Sequence, residues 1–236
     1  MRRIVAIGLF FSAATSACCS EVIDTFEPQR AQDCAGVDAC GVNPNGWSWI
    51  DEEKRIRVFW NASGGNPNAY LGTGPRYFIS APLFVSNPAP ETKLAAALRS
   101  GQLVSARFDY ERLDAGACGP VNADPNQFVL HLYDMHSSDA VIDAFTAGQP
   151  SPAGPSAWET ASFSIPFSAT DVPEGWKINV NPDLGYTWQD LMHNVDAIGF
   201  SPVFNDGIGV FASCWRLGAD NVVIAYGDAI FSDGFN

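Results

Sequence analysis

Alternation of apolar and polar residues is the feature that most restricts what this chain can fold into. Trp158 to Ile165 reads Trp-Glu-Thr-Ala-Ser-Phe-Ser-Ile. Leu103 to Arg112 alternates in the same way, with Val104, Ala106, Phe108 and Tyr110 on one side and Arg107, Asp109 and Glu111 on the other. A two-residue period sends successive side chains to opposite faces, so each stretch is predicted as a half-buried strand.

Other stretches fit the same reading. Val22–Glu27, Tyr77–Pro82, Phe128–Met135, Val195–Phe200 and Gly218–Tyr226 are short β-prone runs. Trp47–Ile50 and Arg55–Trp60 are predicted to pair with each other around the polar turn Asp51–Lys54. Two helices are expected. One runs from Glu91 to Leu98; the other follows Thr187, whose Thr-x-x-Asp pattern is a helix cap. Thr146–Ser156 is a Pro/Gly/Ser loop inserted between strands. The 16 Pro and 21 Gly suit many tight turns. The predicted fold is all-β: an antiparallel β-sandwich of the jelly-roll type with one or two short helices.

Of the 236 residues, 47% are apolar and only 17% charged, which describes a packed globule. The formal charge of −13 leaves no basic surface to displace phosphate counterions, so nucleic acid is disfavoured as a partner. Residues 1–19 are expected to be a signal peptide: Arg2-Arg3, the apolar run Ile4–Phe11, then Thr15-Ser16-Ala17. Ala17-Cys18 also fits a lipoprotein cleavage site, in which case lipidation of Cys18 would be the chain's one tie to a membrane. Residues 20–236 then form a single domain, secreted or anchored to the cell envelope. Export permits disulfides. With Cys18 and Cys19 set aside, the remaining four of six cysteines allow three pairings, of which Cys34–Cys40 with Cys118–Cys214 is preferred. Zinc is disfavoured, because the spacing contains no CxxC.

Ser63-Gly64-Gly65-Asn66-Pro67 with Tyr70, followed by Tyr77-Phe78-Ile79-Ser80-Ala81-Pro82, resembles the front half of a laminin IV (laminin B) domain. The Trp158 strand, Trp176, the Trp188 helix, Val195-Asp196-Ala197-Ile198 and Asp220-Asn221-Val222 follow in the order of that family's back half. The resemblance covers most of residues 46–228. It implies an extracellular jelly roll, related in shape to carbohydrate-binding modules and without chemistry of its own. It also implies core positions for Trp158, Trp176 and Trp188. The chain departs from the pattern in a longer loop around Cys118 and in Phe84-Val85-Ser86-Asn87, where the family has Phe-Leu-Gly-Asp.

Candidate sites follow from these readings. In jelly rolls of the binding-module type the chain ends lie side by side, so Asp24, Glu27 and Asp220 are candidates to hold a structural calcium. Trp47 and Trp49 share a strand face and, if exposed, would form a sugar-stacking platform. Asp109 and Glu111 share another face; they would line a polar binding surface or pair with Arg107 rather than oppose each other across a glycosidic bond. His131, Asp134 and His136 form a cluster with a catalytic flavour, but a strand sends His131 away from the other two. The expected function is non-catalytic recognition or adhesion, with a glycan or an extracellular protein as partner. The alternative is a polysaccharide hydrolase or lyase on the same scaffold.

Overall fold

The computed structural model describes residues 19–26, 45–50, 58–66, 69–73, 83–115, 125–136, 142–146, 149–150, 157–180, 182–204 and 215–227. In chain order its strands are β1 (Cys19–Asp24), β2 (Trp47–Ile50), β3 (Val58–Asn61), β4 (Tyr70–Thr73), β5 (Leu83–Ser86), β6 (Leu103–Ala115) and β7 (Pro125–Asp134). Then come β8 (Ile142–Thr146), β9 (Gln149–Pro150), β10 (Glu159–Ser164), β11 (Trp176–Asn179), β12 (Ala197–Phe204) and β13 (Trp215–Gly227). Helix α1 (Lys93–Leu98) precedes β6, and α2 (Trp188–Asn194) precedes β12.

The strands form two antiparallel sheets. The first runs β10-β6-β13-β4-β3, with β1 also paired to β13. The second runs β11-β8-β7-β12-β5-β2, with β9 on β7. The chain crosses repeatedly from one sheet to the other, so neighbours in the sheets are seldom neighbours in sequence. This is the winding of a jelly-roll sandwich.

Aromatic rings fill the space between the sheets. Phe108 of the first sheet lies 4.3 Å from Phe200 and 5.3 Å from Phe128 of the second, centroid to centroid. Tyr110 meets Phe128 at 4.3 Å. The alternation in β6 delivers Ala106, Phe108 and Tyr110 to this core, as expected, but Leu103 joins them while Val104 is only partly buried. Register shifts explain the exchange. β13 slips against β6 between Ala225 and Tyr226, so the two-residue phase breaks there.

Both helices close gaps beside the sheets. Thr92 caps α1 by accepting from Ala95 N at 3.1 Å, and α1 buries Leu94, Ala97 and Leu98. The predicted cap at Thr187 is a full capping box: Asp190 N donates to Thr187 Oγ1 at 3.1 Å, and Thr187 N donates to Asp190 Oδ2 at 2.8 Å. Trp188 packs edge-on against Trp176 at 5.0 Å.

The predicted Trp47–Ile50/Arg55–Trp60 hairpin is not formed. β2 pairs with β5 in the second sheet, and β3 pairs with β4 in the first. A local turn costs less chain entropy than a distant pairing. Here, however, separation lets Trp47 stack on Phe84 at 4.9 Å and on Phe200 at 6.0 Å. Burying such rings is worth about 2–3 kcal/mol each, and that outweighs the loop term. β1 begins at Cys19, one residue before the expected domain start, with Cys19 opposite Gly227. Cys18, Glu27, Cys34, Cys40, Cys118, Cys214 and the Tyr77–Pro82 strand lie outside the described residues.

Candidate functional site

The first sheet turns one face to the core and the other outward, and the outward face carries a connected arrangement of polar and aromatic side chains. Its rows can be read from the ladders. Thr160 stands opposite Asp109, and Asp109 opposite Asp220. One step along, Glu111 stands opposite Gly218, which stands opposite Gly72. Continuing the β10–β6 register by one residue sets Trp158 against Glu111.

Asp109 and Asp220 are both buried, at 8% and 0% exposure, and both are supplied with hydrogen-bond donors. Asp109 accepts from Thr160 Oγ1 at 2.5 Å, Asn221 Nδ2 at 2.8 Å and Asn66 Nδ2 at 3.1 Å. Asp220 accepts from Asn66 N and Asn221 N, each at 2.8 Å. Asn221 Nδ2 also donates to the Asn66 carbonyl. The Ser63–Asn66 loop is thereby tied to β6 and β13. Gly65 is required there: a Cβ would sit 2.2 Å from the Ala69 carbonyl oxygen and 2.9 Å from Asp220 Oδ2. The Gly-Gly-Asn and Asp-Asn motifs, 154 residues apart at Asn66 and Asp220, are thus two halves of one contact.

Beside this network lies Trp158. Its indole N–H donates to the Gly64 carbonyl at 2.7 Å, and its ring meets Tyr70 edge-on at 5.5 Å. Both rings lean over Gly218, where a Cβ would come within 3.0 Å of each. Tyr70 is buried and Trp158 only partly so, which makes Tyr70 the brace and Trp158 the open surface. Glu111, partly buried beside them, has no hydrogen-bond donor among the described residues, and burial pushes its carboxyl above the usual range.

Several expectations change against this geometry. Trp47 and Trp49 are each 1% exposed and form no platform. Their indole nitrogens are satisfied inside the fold, Trp47 by Asp24 at 2.7 Å and Trp49 by the Leu71 carbonyl at 3.4 Å. The side chains of Trp60 and Trp215 lie outside the described set. Trp176 and Trp188 are core residues as expected, whereas Trp158 is not part of the core. The signal was available in the sequence. Trp158 shares its parity with Thr160, Ser162 and Ser164, and so belongs to the polar side of its strand.

Asp24 and Asp220 do not converge. Asp24 points into the sandwich, where Asn45 Nδ2 reaches its two oxygens at 2.9 and 2.8 Å alongside Trp47, while Asp220 faces outward. Desolvation raises the Asp24 pKa, opposed in part by the Asn45 and Trp47 donors. Among the described residues no group of three or more His, Cys, Asp or Glu could hold a metal ion. Asp109 and Glu111 do share a face, as predicted, but Asp109 is engaged by Thr160 and two asparagines. Of the histidine cluster, His131 turns away as expected, while Asp134 still accepts from His136 N at 3.0 Å. His131 meets Ser201 Oγ at 2.7 Å, Asp134 accepts from Tyr186 Oη at 2.6 Å, and exposed His136 pairs with Asp196.

No family model matches the chain, and no curated protein matches it. Among solved structures, the chain is similar to the CBM22-1–GH10 modules of the N-terminal endo-1,4-β-D-xylanase 10B of Clostridium thermocellum, a structure complexed with xylohexaose. The similarity has a TM-score of 0.43 at 14% identity and covers 90% of this chain but 30% of that one, so the chain spans under a third of that protein.

Proposed function

We propose that this chain is an exported, non-catalytic recognition domain of laminin IV-like character that binds a glycan on the outer face of its first sheet. The observation that carries the reading is Trp158, a partly open indole fixed by the Gly64 carbonyl and braced by Tyr70. An immobilised aromatic ring bordered by polar groups suits a sugar, whose apolar C–H face stacks while its hydroxyls hydrogen-bond at the edge. Hydrolysis fits less well. Asp109 and Asp220 lie on one face, already hydrogen-bonded, and do not flank a space that could hold a glycosidic bond.

The test is a glycan array probed with the chain and with Trp158→Ala. Binding by the parent that the variant loses, at equal thermal stability, supports the reading. A blank array for the parent overturns sugar recognition and leaves an extracellular protein as the partner to seek. Turnover of a bound polysaccharide would reinstate the enzyme reading.

A further inference from the structure

Glu111 is the partly buried acid of this outer face whose carboxylate has no partner among the described residues. Asp109 and Asp220 each accept two or more hydrogen bonds within the fold, and these hold the Ser63–Asn66 loop in place. Glu111 accepts none among the described residues, although it is partly buried. A carboxylate withdrawn from water without a donor is unfavourable for the free protein. Its position supplies a reason. It stands opposite Gly218, the glycine under the Trp158 and Tyr70 rings, and next to the position where Trp158 would continue the ladder.

We propose that Glu111 is the hydrogen-bond acceptor that orients a sugar stacked on Trp158, and that it makes the site select neutral glycans over glycans bearing uronate or sulfate groups; this rests on the glycan-binding reading above. A sugar lying flat on an indole directs its equatorial hydroxyls outward around the ring edge. A pair of vicinal hydroxyls can donate to both oxygens of one carboxylate, a charge-assisted arrangement stronger than a neutral hydrogen bond.

Charge placement gives the selectivity. Neighbouring strands lie about 5 Å apart, so a group on Trp158 is one strand from Glu111. Arg107, the cation on this face among the described side chains, is four residues along β6 from Glu111, about 13 Å away. That exceeds the screening length of about 8 Å at physiological salt. An anionic sugar would therefore meet carboxylate repulsion at contact range without the compensating attraction of Arg107.

The experiment titrates the chain, Glu111→Gln and Trp158→Ala with hexaoses of xylose, glucose and mannose, and with a galacturonate hexamer. The parent is expected to bind at least one neutral hexaose about tenfold or more tightly than the galacturonate, the size of one charged hydrogen bond. Glu111→Gln is expected to lose about tenfold on that neutral sugar and to narrow the gap to galacturonate. The same variant is expected to melt at an equal or higher temperature than the parent, because it removes an unpartnered charge. A merely structural residue would not lower affinity while leaving stability intact. Galacturonate bound as tightly as the neutral sugars, through Trp158, would overturn the selectivity and leave glycan binding standing. Unchanged neutral-sugar affinity in Glu111→Gln would overturn the role of Glu111. No binding to any of the four would overturn the inference, and a blank glycan array beside it would remove the reading beneath it as well.

Discussion

Asp24 at the end of the first strand accepts the indole N–H of Trp47 at 2.7 Å, and so fixes a fully buried tryptophan of the second sheet from the first. Asn45 closes the same carboxylate. Asp24→Ala leaves two buried donors without an acceptor and is expected to cost about 1–3 kcal/mol for each, read by chemical denaturation. Asp24→Asn keeps one acceptor and is expected to cost much less. Because burial raises the Asp24 pKa above 3.8, the folded state holds its proton more tightly than the unfolded chain. The Asp24 contribution is therefore fully present below pH 3.8 and is lost as pH rises through the higher folded value. Measured across that window, Asp24→Asn should gain on the parent as pH increases. A difference that shrinks with rising pH would contradict this account.

Asn221 adopts φ of 45°, a left-handed conformation, at the point where β13 slips against β6. Its side chain there reaches Asp109 and the Asn66 carbonyl. Two substitutions separate backbone from side chain. Asn221→Gly and Asn221→Ala both lose the amide contacts, but only alanine pays the left-handed steric cost of roughly 1–2 kcal/mol. Alanine is thus expected to be the less stable of the two by about that amount in thermal melts. Equal melting would mean that the turn relaxes out of the left-handed region.

The fold was legible where periodicity and burial agree. The two-residue alternation in Ala161–Ile165 and in Ala106–Tyr110 gave the correct inward faces, and Thr187 with Asp190 gave the correct helix start. Pairing was less legible. Trp47–Ile50 and Arg55–Trp60 are near in sequence, but Trp49 has Phe84 as its ladder partner, a choice made by packing across the whole sandwich. The site failed for a related reason. Trp47 and Trp49 share a face, and nothing local says whether that face meets solvent or Phe84 and Phe200. The contact of Asn66 with Asp220 and Asp109 spans most of the chain and depends on a register slip that composition does not encode.

Calcium would need six to eight oxygens around one point. Asp24 and Asp220 point to opposite sides of the first sheet, and both already accept donors within the fold. Through Asp24 and Asp220, therefore, no rise in melting temperature is expected when calcium follows excess EDTA. A cation held at a hundred times its Kd would add about 2.7 kcal/mol, well within detection. A clear rise on adding calcium would place a cation site elsewhere and call for Glu27 to be tested next.

Gly218 lies at the base of the Trp158–Tyr70 contact, with room for no methyl group unless the rings shift. A Cβ would meet Trp158 Cη2 and Tyr70 Cδ2 at 3.0 Å and Tyr70 Cε2 at 3.2 Å. Tyr70 is buried and cannot easily retreat, whereas Trp158 is partly open and can. Gly218→Ala should consequently displace Trp158, weakening its bond to the Gly64 carbonyl, at a stability cost of about 1–3 kcal/mol for overpacking. The displacement is expected as a red shift in the part of the tryptophan emission that Trp158→Ala removes, since the ring moves toward water. If Trp158 is the stacking surface, the same variant loses glycan affinity although it alters no group at the sugar's edge. Retained affinity together with a shifted emission would show that the ring moves but does not carry the ligand.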